Sequence, residues 1–424
     1  MDLKRFNDIY SAWVISSDLM TYQKMYNYYC GKTDAITNYK MITERSNCKI
    51  HVNYIKKFIK EEVSYSLGNE VMYLSKDDNK EMIDDIEYYM SHWNENHDCE
   101  LLKNMLIYSN AFELYYIDEN GDFSSKIVPP TQGFGVVDDA GNIVTFLRQY
   151  AKPLDETVYI DVYEGSKVYH MTANGTQLGS SDSGFSSVPV AWGNLTEDGI
   201  FDTLYWDLKG LQDGYETNLS DICNEISDFR NAYLKLTGCG IEEKQLAELK
   251  RLGMINIPIK DGDADWLIKN INDTFIQNTL KTMEDKMYQI SSHINHNEKM
   301  QSNTSSLALR SRLISLEEKC KLNQKSVSNV LKTRLQFLFE YIKTIKNKEY
   351  DVKQVKLKFT PNIPQDDLMT AQIISQLGDL LSEETSLSLL SFIENAQIEK
   401  AKKDNEESEM KAGLELLGVE NKDE

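Results

Sequence analysis

Between Leu309 and Ile345 no proline or glycine interrupts a run of apolar residues spaced by three, four or seven positions. Leu309, Leu313, Leu316, Cys320, Val327, Leu331, Leu338, Ile342 and Ile345 fall on one face of a helix of about 40 residues, roughly 60 Å long. Few compact enzymes need such a rod, whereas bundles, coiled coils and rings do.

Other stretches repeat the helical period on a smaller scale. Ile55, Ile59, Val63 and Leu67 predict a helix over 53–67 closed by Gly68, and Ile83, Ile86, Met90 and Trp93 predict another. A third covers Leu101 to Ser109. The period then changes. Phe112–Ile117, Ile143–Tyr150, Val158–Tyr163 and Val168–Met171 are short and rich in aromatic and β-branched residues. Asn120-Gly121, Ala140-Gly141, Gly165-Ser166 and Asn174-Gly175 stand between them as hairpin turn signals, so 110–192 reads as antiparallel β structure. From Phe201 to Tyr233 the helical period returns through Leu204, Leu208, Leu211, Tyr215, Leu219, Ile222, Ile226 and Phe229. A mixed segment over 239–271 offers Met254–Ile259 and Trp266–Ile268 as strands, and Ile276 to Ile294 forms a further helix. A polar break over 295–306 precedes the long helix. Beyond that helix come a strand (Val355, Leu357, Phe359), the Pro361-Asn362-Ile363-Pro364 break, two short helices and a tail rich in Glu and Lys. The fold class is therefore α+β, mainly helical.

Charge narrows the function. The chain carries 67 acidic against 46 basic side chains, a net charge of -21. Proteins that grip nucleic acid neutralise phosphates with Lys and Arg, so this balance excludes tight, extended DNA binding. The six cysteines (Cys30, Cys48, Cys99, Cys223, Cys239, Cys320) are scattered without a Cys-x-x-Cys pair, as expected of reduced thiols in a cytoplasmic setting. The N-terminus shows no apolar signal region, and no apolar run is long enough to cross a bilayer.

The chemical motifs fail one by one. Gly31-Lys32-Thr33 ends like a phosphate-binding loop, but Tyr26 stands where that loop needs glycine. Asp261, Asp263 and Asp265 have the opening spacing of a calcium loop, yet Trp266 and Asn272 occupy the places of its Gly and Glu. Asp118, Asn120 and Asp122 fail likewise, at Phe123 and Pro129. His293 and His296, and the group His92, His97 and Cys99, lack a second ligand pair at zinc spacing. No catalytic motif, metal site or cofactor site emerges, and nothing singles out an acid/base pair among the carboxylates.

Two stretches carry a family resemblance. One runs Tyr28-Tyr29-Cys30-Gly31, Ile36, then Asn47-Cys48-Lys49-Ile50-His51-Val52-Asn53-Tyr54-Ile55, then Tyr65-Ser66-Leu67-Gly68-Asn69-Glu70-Val71-Met72-Tyr73. The other runs Ser220-Asp221-Ile222-Cys223-Asn224 through Phe229-Arg230-Asn231-Ala232-Tyr233-Leu234. Asn303 to Leu309 and Ser382 to Ser386 add support. In order and spacing the chain resembles the portal proteins of tailed bacteriophages, the SPP1-type family, although Ser305-Ser306 stands where that family usually has Ser-Gly.

The resemblance implies an assembly subunit with no active site. Residues 1–200 would form the outer wing, 201–236 and 272–295 paired stem helices, and 237–271 a clip containing Asp261, Asp263, Asp265 and Trp266. Residues 296–306 would be a tunnel loop placing Lys299, Gln301, Asn303, Thr304, Ser305 and Arg310 near DNA. Residues 307–360 would be the long helix and its return strand, and 361–424 a helical crown with a charged tail. Leu219, Ile222, Ile226, Phe229, Met283, Met287 and Ile290 would line the ring interface. The implied partners are about eleven or twelve further copies of the chain in a closed ring, the terminase large subunit, head-completion or adaptor proteins, major capsid and scaffolding proteins, and double-stranded DNA passing without sequence specificity. No membrane or cofactor is implied. The implied setting is the portal vertex of the virion, and the bacterial host cytoplasm during assembly. Two other classes stay open on the residues alone: a cytoplasmic coiled-coil scaffold, and an enzyme with a carboxylate site in the β region.

Overall fold

The computed structural model describes residues 2–40, 46–229, 233–237, 263–267, 273–295, 306–361, 367–390, 393, 396, 399–406 and 408. The chain divides into two units, Met1–Gln301 with Ser311–Pro361, and Ser302–Arg310 with Asn362–Glu424.

The first unit opens with helices α1 (Leu3–Ile15), α2 (Ser17–Tyr29), α3 (Asp34–Thr37) and α4 (Tyr54–Leu67). Each start is capped by a side-chain oxygen: Asp2, Ser16, Thr33 and Asn53 accept from the backbone N–H of Lys4, Leu19, Ile36 and Lys56. Gly68 follows α4 as expected, but at φ -66, so this helix ends without a left-handed turn. Strand β1 (Met72–Ser75), α5 (Lys80–Met90) and α6 (His97–Tyr108) lead to the β region. Helices α1 to α3 precede the first helix expected from the sequence.

The β region forms two antiparallel sheets. One has the order β3-β2-β9 (Phe123–Val128, Asn110–Ile117, Val190–Asn194). The other has the order β4-β5-β6-β7-β8 (Gly133–Val137, Ile143–Ala151, Val158–Glu164, Lys167–Thr172, Gln177–Asp182). The four turn glycines sit at positive φ, from 59 to 88, where a side chain would be strained. Asp118, one of the calcium candidates, folds back on its own turn, accepting from the N–H groups of Asn120 at 2.8 Å and Asp122 at 2.9 Å. Phe112, Leu114, Val128, Phe146, Tyr163 and Val190 close a core between the sheets. Phe6 of α1 covers the opposite face of the larger sheet on Leu147, Ile160, Val162 and Met171.

After the β region come α7 (Leu204–Phe229), the paired strands β10 (Tyr233–Thr237) and β11 (Asp263–Leu267), and α8 (Asp273–Ser291). Of the helix expected over 201–236, Leu204–Phe229 is described as helix, whereas Tyr233 pairs with Leu267 across β10 and β11. The β-branched and aromatic residues of Tyr233–Thr237 find a ladder partner there, which outweighs a helical period shared equally well by short apolar runs.

Helix α9 (Ser306–Lys346) is the rod, 41 residues long. Cys320, Val327, Leu331, Leu338 and Ile342 are fully buried along it, packed on the central core of α4, α5 and α6. Ile345 was expected on the same face but is exposed; beyond it Lys346, Lys348 and Tyr350 converge on Asp85 of α5. Strand β12 (Val355–Lys358) then pairs antiparallel with β1. The second unit contains α10 (Asp367–Leu377) and α11 (Glu383–Ser388), the latter capped by Ser382. No helix among the described residues is long and apolar enough to cross a membrane.

A buried charge centre joins α9 to the β region. Arg334 donates from Nε to Glu113 Oε1 at 2.9 Å, and from Nη2 to Asp98 Oδ1 at 2.6 Å. His97, Ser125 and Tyr115 also bond the Glu113 carboxylate, at 2.8, 2.9 and 2.9 Å. Burial alone would raise the Glu113 pKa, but Arg334 and His97 outweigh it and hold it at about 2, against 4.5 for a free glutamate. The folded carboxylate binds its proton less readily than the unfolded one. Its stabilisation is therefore complete above about pH 4.5 and is lost as pH falls towards 2. Arg334→Met should lower the unfolding free energy by about 3–5 kcal/mol at neutral pH, because Glu113 is left as an uncompensated buried charge. Glu113→Gln should remove part of the loss of stability between those pH values. Urea melts followed by circular dichroism across that range test both, and an Arg334→Met melt equal to wild type would refute the assignment.

Candidate functional site

The described residues concentrate their long-range polar bonding along α7. Its apolar period was legible, but a polar stripe at four-residue spacing lies beside it: Gln212, Glu216, Ser220 and Asn224, all buried. An extended segment, residues 46–53, runs antiparallel along that stripe. The Val52 N–H donates to Glu216 Oε1 at 2.9 Å, the Ile50 N–H to Ser220 Oγ at 3.0 Å, and the Cys48 N–H to Asn224 Oδ1 at 2.6 Å. Gln212 Nε2 and Asn224 Nδ2 return the pattern by donating to the carbonyls of Val52 and Cys48. Alternate residues of an extended chain point their N–H groups the same way, so two strand residues match one four-residue step of helix, each about 6 Å. A strand that would otherwise bury unpaired backbone groups is thereby satisfied by side chains.

The surroundings reinforce the contact. Thr33 donates its hydroxyl to Glu216, and Tyr39 donates to Asp221 at 2.6 Å while accepting from Asn224 at 2.7 Å. Gly31-Lys32-Thr33, the apparent phosphate loop, is thus a helix cap whose threonine serves the ladder. Asn53 ends the segment, accepting from Lys56 N–H and donating to the Tyr29 carbonyl at 2.8 Å. Lys209 pairs with Asp213 at 2.8 Å and Asp34 at 3.0 Å, and Tyr28 donates to Asp213 at 2.8 Å. These carboxylates are occupied, so the arrangement holds and positions; it offers no free base.

Helix α8 lies against the other side of α7. A Cβ on Gly214 would come within 2.9 Å of the Met283 methyl, so glycine lets the helices approach there. Asn218 Nδ2 lies 3.6 Å from Met283 Sδ. Of the expected interface residues, Leu219, Ile222 and Met283 are half-buried, while Ile226 and Ile290 are 62% and 47% exposed. Met287 is corrected: it is completely buried inside the protomer's own core and offers nothing to a neighbour. Phe229 ends α7. Asp263, Asp265 and Trp266 lie in strand β11, opposite Thr237, Lys235 and Leu234, so the extended backbone there is not a calcium loop. Asp261, Lys299, Gln301, Asn303, Thr304 and Ser305 lie outside the described residues, and Arg310 falls within α9.

His293 is buried against Phe58, with ring nitrogens facing the carbonyls of Ser291 and Phe58 at 2.8 and 3.1 Å. No group of three metal-ligating side chains occurs among the described residues. One constellation escaped the sequence reading. His170 places Nδ1 2.7 Å from Asp161 and Nε2 3.0 Å from Ser181, across three adjacent strands. The order is that of a hydrolase relay. It lies on the sheet surface, with Ser181 exposed on the outer strand β8.

Comparison with known proteins supplies the context. A family model described as "Phage portal protein, SPP1 Gp6-like" matches residues 15–411. No curated protein matches the chain. Among solved structures, a chain from the "Neck of empty GTA particle computed with C6 symmetry" is similar at 10% identity and a TM-score of 0.47, covering 79% of this chain and 88% of its own.

Substituting the ladder tests its part in the fold. Ser220→Ala leaves the half-buried Ile50 N–H without its acceptor and should cost about 1 kcal/mol. Hydrogen exchange at Ile50 should accelerate by about tenfold or more, with exchange at Leu331 unchanged. Unaltered protection at Ile50 would show that the ladder does not hold the segment.

Proposed function

Because the chain belongs to the SPP1-type phage portal family, we propose that it is a portal subunit, closing with further copies into a ring at one capsid vertex. The observation that carries this reading is the family match over residues 15–411. In that role the ring nucleates head assembly, docks the terminase motor and the head-completion proteins, and conducts double-stranded DNA during packaging and ejection. ATP hydrolysis belongs to the motor, and the portal subunit itself is structural.

Several features support this reading. A cyclic ring repeats one head-to-tail contact, which requires two different surfaces on each subunit. The α7–α8 pair offers long surfaces with exposed apolar residues, Ile226 and Ile290, while its remaining faces are fixed by the ladder and the core. The net charge of -21 suits a conduit through which phosphates must pass without being held. We assign 1–200 to the wing together with 307–360, the long helix and its return strand, the α7–α8 pair to the stem, 237–271 to the clip, 296–306 to the tunnel loop and 361–424 to the crown. A second reading as a hydrolase draws only on Ser181, His170 and Asp161. Labelling of Ser181 by a fluorophosphonate probe, abolished in His170→Ala, would favour it.

Negative-stain electron microscopy with light-scattering mass on the purified chain tests the portal reading. Rings with a central hole, at about twelve or thirteen subunit masses, are expected. Ile226→Asp and Ile290→Asp should leave the circular dichroism spectrum unchanged and abolish those rings. A stable dimer or trimer from the wild type would refute the ring. Normal rings from both variants would refute this interface alone.

A further inference from the structure

The ladder brings together two cysteines that the sequence keeps far apart. Cys48 and Cys223, separated by 175 positions, approach with Sγ atoms 2.9 Å apart. Both are half-buried, so small oxidants reach them, and both are free thiols. We propose that Cys48 and Cys223 are a disulfide-forming pair that fastens segment 46–53 covalently to α7 under oxidising conditions.

The geometry favours closure at little cost. A disulfide requires its sulfurs at about 2.05 Å, so closure moves them together by about 0.9 Å, within reach of side-chain rotation. The backbone is already in place on both sides. Cys48 is clamped through its N–H and its carbonyl to Asn224, the residue after Cys223, at 2.6 and 3.0 Å. The segment therefore cannot drift away while the thiols wait. The other described cysteines are placed differently: Cys30 is exposed, Cys99 turns its thiol to the Leu67 carbonyl at 3.2 Å, and Cys320 is buried. None of these three meets another sulfur among the described residues.

The chemistry is thiol–disulfide exchange with a small disulfide such as glutathione disulfide. One protein thiolate attacks a glutathione sulfur, forming a mixed disulfide and expelling the first glutathione thiolate. The second protein thiolate attacks the protein sulfur of that mixed disulfide and expels the other. One protein S–S bond forms and one glutathione S–S bond breaks. The two protein protons end on two glutathione thiols, and the two electrons reduce the glutathione disulfide. In a reducing cytoplasm the pair stays open. On the portal reading, a particle that leaves the cell carries the pair into oxidising surroundings, where it closes after the subunit has been assembled.

The full-length protein, incubated with glutathione disulfide, blocked with N-ethylmaleimide and digested without reduction, should yield one peptide joining Cys48 to Cys223. Reduction should release it, and Cys48→Ser and Cys223→Ser should each abolish it. The closed form should migrate as a faster monomer on non-reducing gels. Its Ile50 amide should exchange about tenfold more slowly than in the reduced form. Alkylation of both thiols, a glutathione on each, or a dimer band containing either cysteine would overturn the proposal. None of these readouts requires a ring, so failure here leaves the portal reading standing, and failure of ring formation leaves the cross-link to be judged by itself.

Discussion

The Glu113 carboxylate is sealed from water, and four elements of the chain meet on it, one of them more than 200 residues away. Arg334 from the middle of α9, His97 from α6, Tyr115 from β2 itself and Ser125 from β3 share its two oxygens. A buried charge must be paired or neutralised, so these elements are tied to one another by the energy of leaving it alone. The Arg334 guanidinium also stacks over Trp93 at 5.1 Å and reaches Asp98. Apolar packing along α9 tolerates small sliding motions; a fork of fixed donors does not. This centre therefore sets the register of the long helix against the β region.

The ladder on α7 does comparable work with neutral groups. It joins the N-terminal third of the chain to the helix pair and converts an extended segment into an extra layer without a sheet. Between these two polar anchors the aromatic residues fill the volume: Tyr54 meets Tyr215 and Tyr288 edge-on, and Phe58 stacks on His293. The abundance of tyrosine has a physical reason here, since several rings bury their faces while their hydroxyls serve as polar partners, as in Tyr28, Tyr39 and Tyr115.

The long helix, the helices at 54–67 and 97–108, the antiparallel region and its turn glycines were legible because each obeys a single period over several residues. What escaped detection depends on pairing across distance. Gln212, Glu216, Ser220 and Asn224 form their own i, i+4 series, visible in principle, but polar residues on a helix ordinarily mean a solvated face. Only the extended partner at 46–53 gives them a buried meaning. Met287 followed the same apolar period as Met283 and Ile290, and the sequence had no means of telling the core side of α8 from its outer side. Tyr233 satisfied the helical period by coincidence. The family resemblance rested in part on Asn47–Ile55 and Ser220–Asn224, which hold the extended segment and two of the four helix residues of the ladder, Ser220 and Asn224.

The ladder also has a built-in length limit. Helix and extended chain are two rulers with unequal divisions: four helical residues advance about 6.0 Å, and two extended residues about 6.6 Å. Over the three rungs at Val52, Ile50 and Cys48 the mismatch reaches about 1.2 Å, which side-chain rotation can absorb. Each further rung would add about 0.6 Å, and hydrogen bonds tolerate only a few tenths of an ångström beyond their best length. Beside the last of these rungs, the Ser46 hydroxyl donates to the Asn224 carbonyl at 3.2 Å. An insertion of two residues between Cys48 and Val52 could not simply lengthen the seam; it would loop out, leaving the outer rungs in phase.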